Sequence, residues 1–257
     1  PQNLIVGRME APALEASGVG KVYPGGVEAL VEVDLAVARG ETVVLIGASG
    51  CGKSTLLRLF NRLEEPTSGE VRIGGRPART VEPIDLRRRT GYIQQDGGLL
   101  PHWTVSRNVA LVPSLLGWDA RRRDARAAEL LDLVGLPPER YGRRYSRELS
   151  GGERQRVAFA RALAADPDVI LLDEPFGALD ALTRLDLQDE FRRLKGRLGK
   201  TMVLVTHDIS EAFRLGDRIA VMKEGRVLRT GTADELASDT QEGYVKALLA
   251  RGLRSQG

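Results

Sequence analysis

The amino-acid sequence predicts an α/β fold built on a mainly parallel sheet, and three observations support this class. A glycine-rich loop at residues 47–55 joins a short apolar run to a helical pattern. Further along, apolar runs at residues 169–172 and 201–206 alternate with a long helical pattern at residues 181–198. Such runs indicate strands buried on both faces, and their alternation with helices is typical of parallel sheets. A chain of 257 residues, 42% of them hydrophobic, is long enough to bury this core as one large domain or as a domain with a subdomain.

The first predicted elements are antiparallel strands. Apolar and polar residues alternate in short runs between residues 14 and 37, as in strands with one buried face. Tyr23 precedes the turn Pro24-Gly25-Gly26. An aromatic residue near a phosphate-binding loop can stack on adenine, and it can equally be a half-buried packing residue. The spacing leaves both interpretations of Tyr23 open.

Residues 47–55 read Gly-Ala-Ser-Gly-Cys-Gly-Lys-Ser-Thr and match the P-loop pattern G-x-x-x-x-G-K-[ST]. A predicted strand at residues 41–46 precedes the loop, and a predicted helix at residues 55–63 follows it. Glycines let the backbone wrap around an anion, and the amide N–H groups and helix N-terminus supply partial positive charge. Lys53 would reach the β- and γ-phosphates, and the Ser54 hydroxyl would ligate Mg²⁺. The pattern therefore predicts a nucleoside triphosphate site formed by Gly47, Ser49, Gly50, Cys51, Gly52, Lys53, Ser54 and Thr55.

The middle of the chain changes from strand to helix signals. Runs at residues 69–75 and 91–95 predict two further strands, whereas residues 104–144 show helical periodicity, with one helix at residues 119–134. We therefore expect an α-helical subdomain over about residues 97–157, inserted into the α/β core.

A predicted helix at residues 154–165 follows the sequence Leu-Ser-Gly-Gly-Glu at residues 149–153. Ser150 and Glu153 form an S-x-x-E capping box, which starts a helix and by itself implies nothing more. The paired glycines Gly151 and Gly152 are not needed for a cap, and they are typical of a backbone that an anion approaches. The pattern therefore indicates a second phosphate contact.

Two carboxylates and a histidine follow predicted buried strands. The run at residues 169–172 ends in Asp173 and Glu174, and because neighbouring strand residues point to opposite faces, the two acids can take separate roles. Asp173 would join the Mg²⁺ shell, and Glu174 would activate the attacking water as a general base. His207 ends the strand at residues 201–206, at the edge where ligands bind in parallel sheets.

Strand patterns at residues 217–222 and 226–230 and a helical tail at residues 241–257 complete the chain. We expect the main domain to cover residues 10–240. Residues 1–9, which precede it, are expected to be a disordered leader or an expression remnant.

Composition narrows the function classes. Cys51 is the only cysteine, so an internal disulfide is excluded; a small tolerated residue is its preferred interpretation over a redox-sensing thiol. The formal net charge is +3, and acidic residues accompany the arginine clusters, as Asp119 and Asp124 do around residues 121–123. This pattern favours solvated helix faces over a nucleic-acid patch. Apolar runs stay well short of the ~20 residues that span a bilayer, and no secretion signal is visible.

Taken together, these motifs resemble the ATP-binding subunit of ABC transporters. The P-loop corresponds to the family's Walker A motif, residues 149–153 to its signature motif and residues 169–173 to its Walker B motif. The resemblance implies a P-loop NTPase (ABC ATPase) core with an N-terminal antiparallel β subdomain and an inserted α-helical subdomain. It also implies ATPase activity, with ATP and Mg²⁺ as cofactors.

The resemblance assigns roles to single residues. For the Q-loop there are two candidates, Gln94 and Gln95, and the spacing from Gly91 and from Pro101 favours Gln95. The implied catalytic residues are Glu174, His207 (the switch histidine) and Gln95; the implied metal ligands are Ser54, Gln95 and Asp173. Besides the P-loop, the implied nucleotide contacts are Tyr23 as the adenine-stacking aromatic, Ser150, Gly151 and Gly152 of the signature, and Asp180 of the D-loop.

The family also implies partners and a location. Two copies of the subunit, expected as a homodimer, would sandwich ATP and drive integral membrane permease subunits, which receive solute from a solute-binding protein. The location would be the cytoplasmic face of a bacterial membrane, and no nucleic acid is expected. Residues 108–118 and 187–191 look like the osmoprotectant importers, which take up quaternary amines such as glycine betaine, choline or carnitine.

One residue departs from the family pattern. The signature usually ends in glutamine, whereas this chain has Glu153, whose carboxylate we expect to cap its helix rather than face a phosphate.

Three alternative functions stay open at this point. They are import of another small solute such as an amino acid, a soluble ABC-type ATPase acting on nucleic acid or ribosomes, and a P-loop kinase for small molecules.

Overall fold

The structure is a computed structural model that describes residues 11–238 and Gly243. The predicted leader at residues 1–9 lies outside the described residues, as does the predicted helical tail at residues 241–257 apart from Gly243.

Strands and helices follow one another along the chain. The strands are β1 (Leu14–Tyr23), β2 (Val27–Val37), β3 (Thr42–Gly47), β4 (Ser68–Ile73), β5 (Arg76–Pro77), β6 (Thr90–Ile93), β7 (Val169–Asp173), β8 (Thr201–Val205), β9 (Arg218–Lys223) and β10 (Arg226–Gly231). The helices are α1 (Lys53–Leu59), α2 (Pro83–Arg88), α3 (Val105–Val109), α4 (Leu111–Leu115), α5 (Ala120–Leu133), α6 (Pro138–Tyr141), α7 (Gly151–Leu163), α8 (Ala181–Leu198), α9 (Ile209–Leu215) and α10 (Ala233–Ser238), with 3-10 turns at Ala78–Thr80 and Ser146–Glu148.

The strands of the described part form two sheets. A six-stranded sheet has the order β10-β9-β3-β8-β7-β6, in which all neighbours are parallel except β9 and β10. A four-stranded sheet has the order β2-β1-β4-β5 and is antiparallel throughout. The predicted α/β class with an N-terminal antiparallel sheet is confirmed.

The six-stranded sheet lies between two hydrophobic cores because its central strands are apolar on both faces. Every residue of β3, β7 and β8 is buried. Along β3, Val44 and Ile46 face the core shared with α7, α8 and α9, whereas Val43 and Leu45 face the core shared with α1 and the antiparallel sheet. Each such side chain contributes roughly 1.5–3 kcal/mol by leaving water. Because the side chains of β3 pack alternately into these two cores, the strand is fixed on both faces, and the P-loop starts from its end.

Short helices occupy the region between β6 and β7. The longest of them before α7 is α5, whose bounds match the prediction for residues 119–134 within one residue at each end; Asp119 caps it by accepting from the Arg122 N–H. Helices α3 and α5 pack on α7 through Val109, Leu130 and Val157. Within the described residues, no helix combines the length and the apolar character needed to cross a bilayer.

Two predicted helix bounds were wrong by three residues or more. Helix α1 ends at Leu59 instead of residue 63, because Arg62 adopts a left-handed conformation (φ 55°) and the Leu63 N–H turns back to the Arg58 carbonyl. Helix α7 begins at Gly151 instead of residue 154, because the side chain of Ser150 caps the glycine pair into the first turn.

Candidate functional site

The P-loop leaves β3 at Gly47 and enters α1 at Lys53, and glycine is required at both bends. Gly47 has φ 153° and Gly52 has φ 102°. A Cβ atom at Gly47 would collide with the Met222 carbonyl, and one at Gly52 with the Ala29 carbonyl. Around Gly50 (φ 77°), by contrast, no atom lies within 4 Å of a Cβ position. The loop is therefore packed against the sheet at its ends and open at its centre, as a phosphate cradle requires.

Lys53 is held at the mouth of this cradle. Its ammonium Nζ donates to the carbonyl oxygens of Gly47 and Ala48, each at 2.9 Å, and lies 3.8 Å from the Cys51 sulfur. The residue is only 5% exposed. A buried cation whose partners are neutral carbonyls is poised to bind an anion that enters the loop.

Ser54 and Asp173, both predicted as metal ligands, lie together. The Ser54 hydroxyl donates to Asp173 Oδ1 at 2.7 Å, which joins the start of α1 to the end of β7. A hydroxyl and a carboxylate beside a phosphate cradle are the hard oxygen ligands that Mg²⁺ takes, so the residues present fit this ion. Gln95, the third predicted ligand, lies in the turn after β6, and its Nε2 approaches Gly177.

Sequence reasoning missed two side chains that contact the same carboxylate. The Tyr92 hydroxyl lies 3.4 Å from Asp173 Oδ2, and Arg58 Nη2 lies 3.7 Å from that oxygen. Neither residue type carries a motif signal. Only the pairing of β6 with β7, which sets Tyr92 beside Leu171, brings the tyrosine to this point.

Glu174 diverges from Asp173 as predicted, but for a further reason. Strand β7 ends at Asp173, and Glu174 adopts φ 47°, a conformation that is uncommon for a residue with a side chain and is found at functional sites. Its Oε2 lies 3.2 Å from Nδ1 of His207, whose side chain is 64% exposed. Gln95 and Glu174 both approach Gly177. The structure thus brings the three predicted catalytic side chains to one region.

The predicted second phosphate contact lies at the start of α7. The Ser150 backbone N–H donates to Glu153 Oε2 at 2.7 Å, and the Glu153 N–H donates to the Ser150 hydroxyl at 3.2 Å. The expected capping geometry is confirmed. Partial burial raises the pKa of the Glu153 carboxyl, but hydrogen bonds from the Ser150 backbone and from Tyr141, together with the charge of Arg144, outweigh it, and the net pKa is lowered.

Asp180 and Tyr23 also lie at structured positions. The Asp180 carboxylate accepts from the Thr183 N–H at 3.1 Å and caps α8, and the hydrogen bonds from Thr183 lower its pKa. The Tyr23 hydroxyl lies 3.4 Å from Thr55 Oγ1, and Lys21 Nζ lies 4.9 Å from the centre of the tyrosine ring. Tyr23 is half-buried beside the P-loop helix, so stacking and packing both remain compatible with its position.

The two predicted phosphate contacts are separate within one chain. In residues 11–238, no hydrogen bond or ion pair joins the P-loop to residues 149–153. The start of α7 instead borders a cavity of about 280 Å³ whose wall includes Gln95, Gln155 and Leu179.

Comparison with known proteins gives a consistent result. The family model described as ABC transporter matches residues 30–177. The chain is 48% identical over 238 residues to the glycine betaine/carnitine/choline transport ATP-binding protein OpuCA of Bacillus subtilis. This alignment covers 93% of the present chain and 62% of OpuCA. It is 46% identical to the glycine betaine uptake system ATP-binding protein YehX of Escherichia coli, covering 93% of this chain and 77% of that protein.

A solved structure is similar as well. The ATP-binding cassette MJ0796, in a dimeric post-hydrolysis state bound to ADP and Pi, superposes with a TM-score of 0.76 at 37% identity, over 85% of this chain and 98% of that chain. The present chain spans about 62% of the length of the first curated relatives that it matches.

Proposed function

This chain belongs to the ABC transporter family, and we propose that it is the ATP-hydrolysing subunit of an importer for quaternary amine osmoprotectants. The observation that carries the proposal is the joining of Ser54 to Asp173 at 2.7 Å beside the open P-loop, with Glu174 and His207 3.2 Å apart at the next turn. Together with the P-loop backbone, these side chains would supply a phosphate cradle, a pair of metal ligands and a general base at one edge of the sheet. That combination suits phosphoryl transfer from a nucleoside triphosphate to water.

Nucleotide binding would rest on the P-loop and its neighbours. The backbone N–H groups of the loop and the ammonium of Lys53 would hold the β- and γ-phosphates, and Tyr23 would contact the adenine. Ser54 and Asp173, with Gln95, would hold Mg²⁺, which neutralises charge on the phosphates.

Hydrolysis would use Glu174 as the general base. Its carboxylate accepts the proton of a water whose oxygen bonds to the γ-phosphorus, while the bond from that phosphorus to the β-γ bridging oxygen breaks and ADP leaves. His207 lies beside Glu174 Oε2 and would orient this carboxylate and contact the γ-phosphate. The left-handed backbone at Glu174 and the contact of its carboxylate with His207 would keep this acid apart from the proposed metal ligands, so that the two acids would not compete for one site.

A second copy of the chain would complete the site. The separation of the P-loop from residues 149–153 in one chain supports this proposal, and so does the dimeric state of the similar cassette MJ0796. Ser150, Gly151 and Gly152 of one copy would contact the γ-phosphate held by the other, with Asp180 near the same interface. Loss of the γ-phosphate would release the contact, and the opening and closing would drive permease subunits at the cytoplasmic face of the membrane.

The solute class rests on the relatives. OpuCA of Bacillus subtilis and YehX of Escherichia coli carry glycine betaine, carnitine or choline in their names, and both align with 93% of this chain. The relatives are transport proteins, which favours an importer over a nucleic-acid ATPase or a small-molecule kinase. An amino acid importer is the remaining alternative.

Uptake into proteoliposomes tests the proposal. Permease subunits that copurify with the chain are reconstituted with their solute-binding protein, and labelled glycine betaine, choline, carnitine and an amino acid are offered with ATP inside. We expect ATP-dependent uptake of a quaternary amine. Lys53→Ala should abolish it and weaken ATP binding at least about tenfold, because the charge that contacts the phosphates is lost.

Lys200→Ala is the matched control, since Lys200 pairs with Asp166 at 2.9 Å at the opposite edge of the sheet. It should leave ATP binding and uptake unchanged. Uptake of the amino acid alone would refute the solute class, and unchanged ATP binding in Lys53→Ala would refute the nucleotide site.

A further inference from the structure

A group of buried polar side chains lies directly behind the active-site loops. The α8–α9 polar cluster consists of Arg184 and Gln188 on α8, Thr206 after β8, and Glu211 on α9. Gln188, Thr206 and Glu211 are each at most 4% exposed. Gln188 Nε2 donates to Glu211 Oε2 at 3.4 Å, and the Thr206 side chain lies near the Glu211 carboxyl. None of these residues belongs to a motif that the proposed mechanism uses.

Two atoms of the cluster are buried without a partner. Arg184 Nε and Glu211 Oε1 make no hydrogen bond within the described part of the chain. Leaving buried polar atoms unpaired lowers the free energy of unfolding. Apolar side chains of similar volume would therefore make the protein more stable than this cluster does. The cluster therefore calls for a functional explanation.

The surroundings of Glu211 favour the neutral form of its carboxyl. The pKa of its carboxyl is raised to about 8: burial contributes most, the carboxylates of Asp208 and Glu174 add to it, and Thr206 and the charge of Arg184 act in the opposite direction. These are the charged groups that face it from β7, α8 and α9. A neutral carboxyl can donate as well as accept a hydrogen bond, whereas an ionised one would add a charge beside Asp208 and Glu174.

Members of the cluster contact two loops of the candidate active site. Arg184 Nη2 donates to the carbonyl of Leu179 at 2.9 Å, and Leu179 precedes Asp180. On the other side, Thr206 precedes His207, and its Oγ1 accepts from the Asp208 N–H at 3.0 Å. Glu211 is hydrogen-bonded to Gln188 on α8 and interacts electrostatically with Arg184, so the groups that contact the two loops meet around this carboxyl.

We propose that Glu211 is a positioning residue of the ATPase site: through Gln188, Thr206 and Arg184 it holds the loop bearing Asp180 and the loop bearing His207 in a fixed relation to each other. The proposal rests on the proposed function, because it assigns the cluster to that same site. It predicts that the two loops are held less firmly when Glu211 ionises above pH 8 or when its hydrogen bonds are removed.

Three variants separate this role from simple packing. Glu211→Gln keeps a neutral group that donates and accepts, Glu211→Leu keeps the volume and loses the hydrogen bonds, and Asp186→Asn on the exposed face of α8 is the control. Hydrogen–deuterium exchange at pH 7 reports the residues at 174–181 and 206–210 directly. ATP affinity and kcat are measured beside it between pH 6.5 and 9.

We expect Glu211→Leu to raise exchange in both loops together and to lower kcat at least about tenfold with ATP affinity changed less than about twofold, because catalytic groups are misplaced while the phosphate cradle is intact. Glu211→Gln should keep both loops protected and kcat within about twofold of wild type at pH 7. The wild-type kcat should fall above pH 8, and that fall should be reduced in Glu211→Gln. Asp186→Asn should match the wild type throughout.

Wild-type exchange in both loops of a folded Glu211→Leu protein would overturn the proposal, as would an alkaline fall in kcat that Glu211→Gln leaves unchanged. If Glu211→Leu does not fold, Gln188→Leu removes the same hydrogen bond from the other side and must show the same two-loop pattern. A wild-type protein without ATPase activity would refute the proposed function instead, and the exchange data would still decide the positioning role.

Discussion

Glu153 occupies the first turn of α7, and both of its carboxylate oxygens are engaged there. Oε2 accepts from the Ser150 N–H at 2.7 Å, and Oε1 lies 4.0 Å from Arg144 Nη1. The carboxylate is therefore turned toward its own helix, which leaves the N–H groups of Gly151 and Gly152 available to a ligand. A negative charge in the first turn of a helix also stabilises it by about 0.3–1 kcal/mol.

Glu153→Gln tests this arrangement. The amide oxygen keeps the hydrogen bond and loses the charge, so ATP-dependent dimerisation and turnover should change less than about twofold, and the free energy of unfolding at pH 7 should fall by about 0.3–1 kcal/mol. The folded pKa of Glu153 is lowered, so its stabilisation is present above the unfolded pKa and is lost as the pH falls through the folded pKa. Urea unfolding at pH 7 and at about pH 3 should therefore show the difference shrinking in acid.

The contrary result is equally specific. If the carboxylate faced the phosphate, Glu153→Gln would tighten ATP-dependent dimerisation several-fold, and most strongly at low salt, where screening is weakest. Dimerisation measured at two salt concentrations distinguishes the two geometries.

Among single residues, those whose positions follow from a sequence motif were predicted, and those that only the folded chain brings to the site were missed. Lys53, Ser54 and Asp173 were predicted because the P-loop and the strand end fix their positions, and Ser54 and Asp173 lie 2.7 Å apart. Tyr92 reaches Asp173 only through the pairing of β6 with β7. Glu211 resembles any acid in a helix until its burial is known.

Elements were predictable where a local signal marks them. The buried strands β3, β7 and β8 follow from apolar runs, and α5 follows from its periodicity and its Asp119 cap. The end of α1 carries no glycine or proline, and the left-handed residue that ends it is Arg62, so the helix pattern ran too far. The short helices α3, α4 and α6 were predicted only as a helical region, because tertiary packing decides where so short a helix breaks.

The contact between α7 and α8 supplies a test at this scale. A Cβ atom on Gly152 would lie 2.7 Å from Cγ2 of Thr183 in the first turn of α8. Gly152→Ala should therefore push the two helix starts apart and lower the free energy of unfolding by about 1–3 kcal/mol, measured by urea unfolding. Adding Thr183→Ser, which removes that methyl group, should restore most of the loss.

Gly196→Ala is the control for this prediction. Gly196 lies inside α8, and no atom lies within 4 Å of its Cβ position, so alanine should stabilise the protein by about 0.5–1 kcal/mol through helix propensity alone. A Gly152→Ala protein as stable as wild type, or one that Thr183→Ser does not rescue, would contradict the packing seen between these helices.

For the whole molecule, the position of each motif at one edge of the parallel sheet determines which functional groups come together. The P-loop follows β3, Glu174 follows β7 and His207 follows β8, so the parallel strands deliver these groups to one edge although they are far apart in sequence. The order β9-β3-β8-β7 was not predictable, because local patterns mark strands and leave their neighbours open. In the described residues no hydrogen bond joins the start of α7 to the P-loop, which is consistent with the proposal that each chain supplies two half-sites.

The central claim is that two copies close around ATP and that Glu174 opens them by hydrolysis. Glu174→Gln should bind ATP normally and lose about 10²–10⁴-fold in turnover, because the general base is gone while the cradle remains. Light scattering of this variant with ATP and Mg²⁺ is the most direct measurement. We predict a mass twice the 28.0 kDa of one chain, and a return to 28.0 kDa when Lys53→Ala is added. A Glu174→Gln protein that stays at 28.0 kDa with saturating ATP and turns over like wild type would contradict the account.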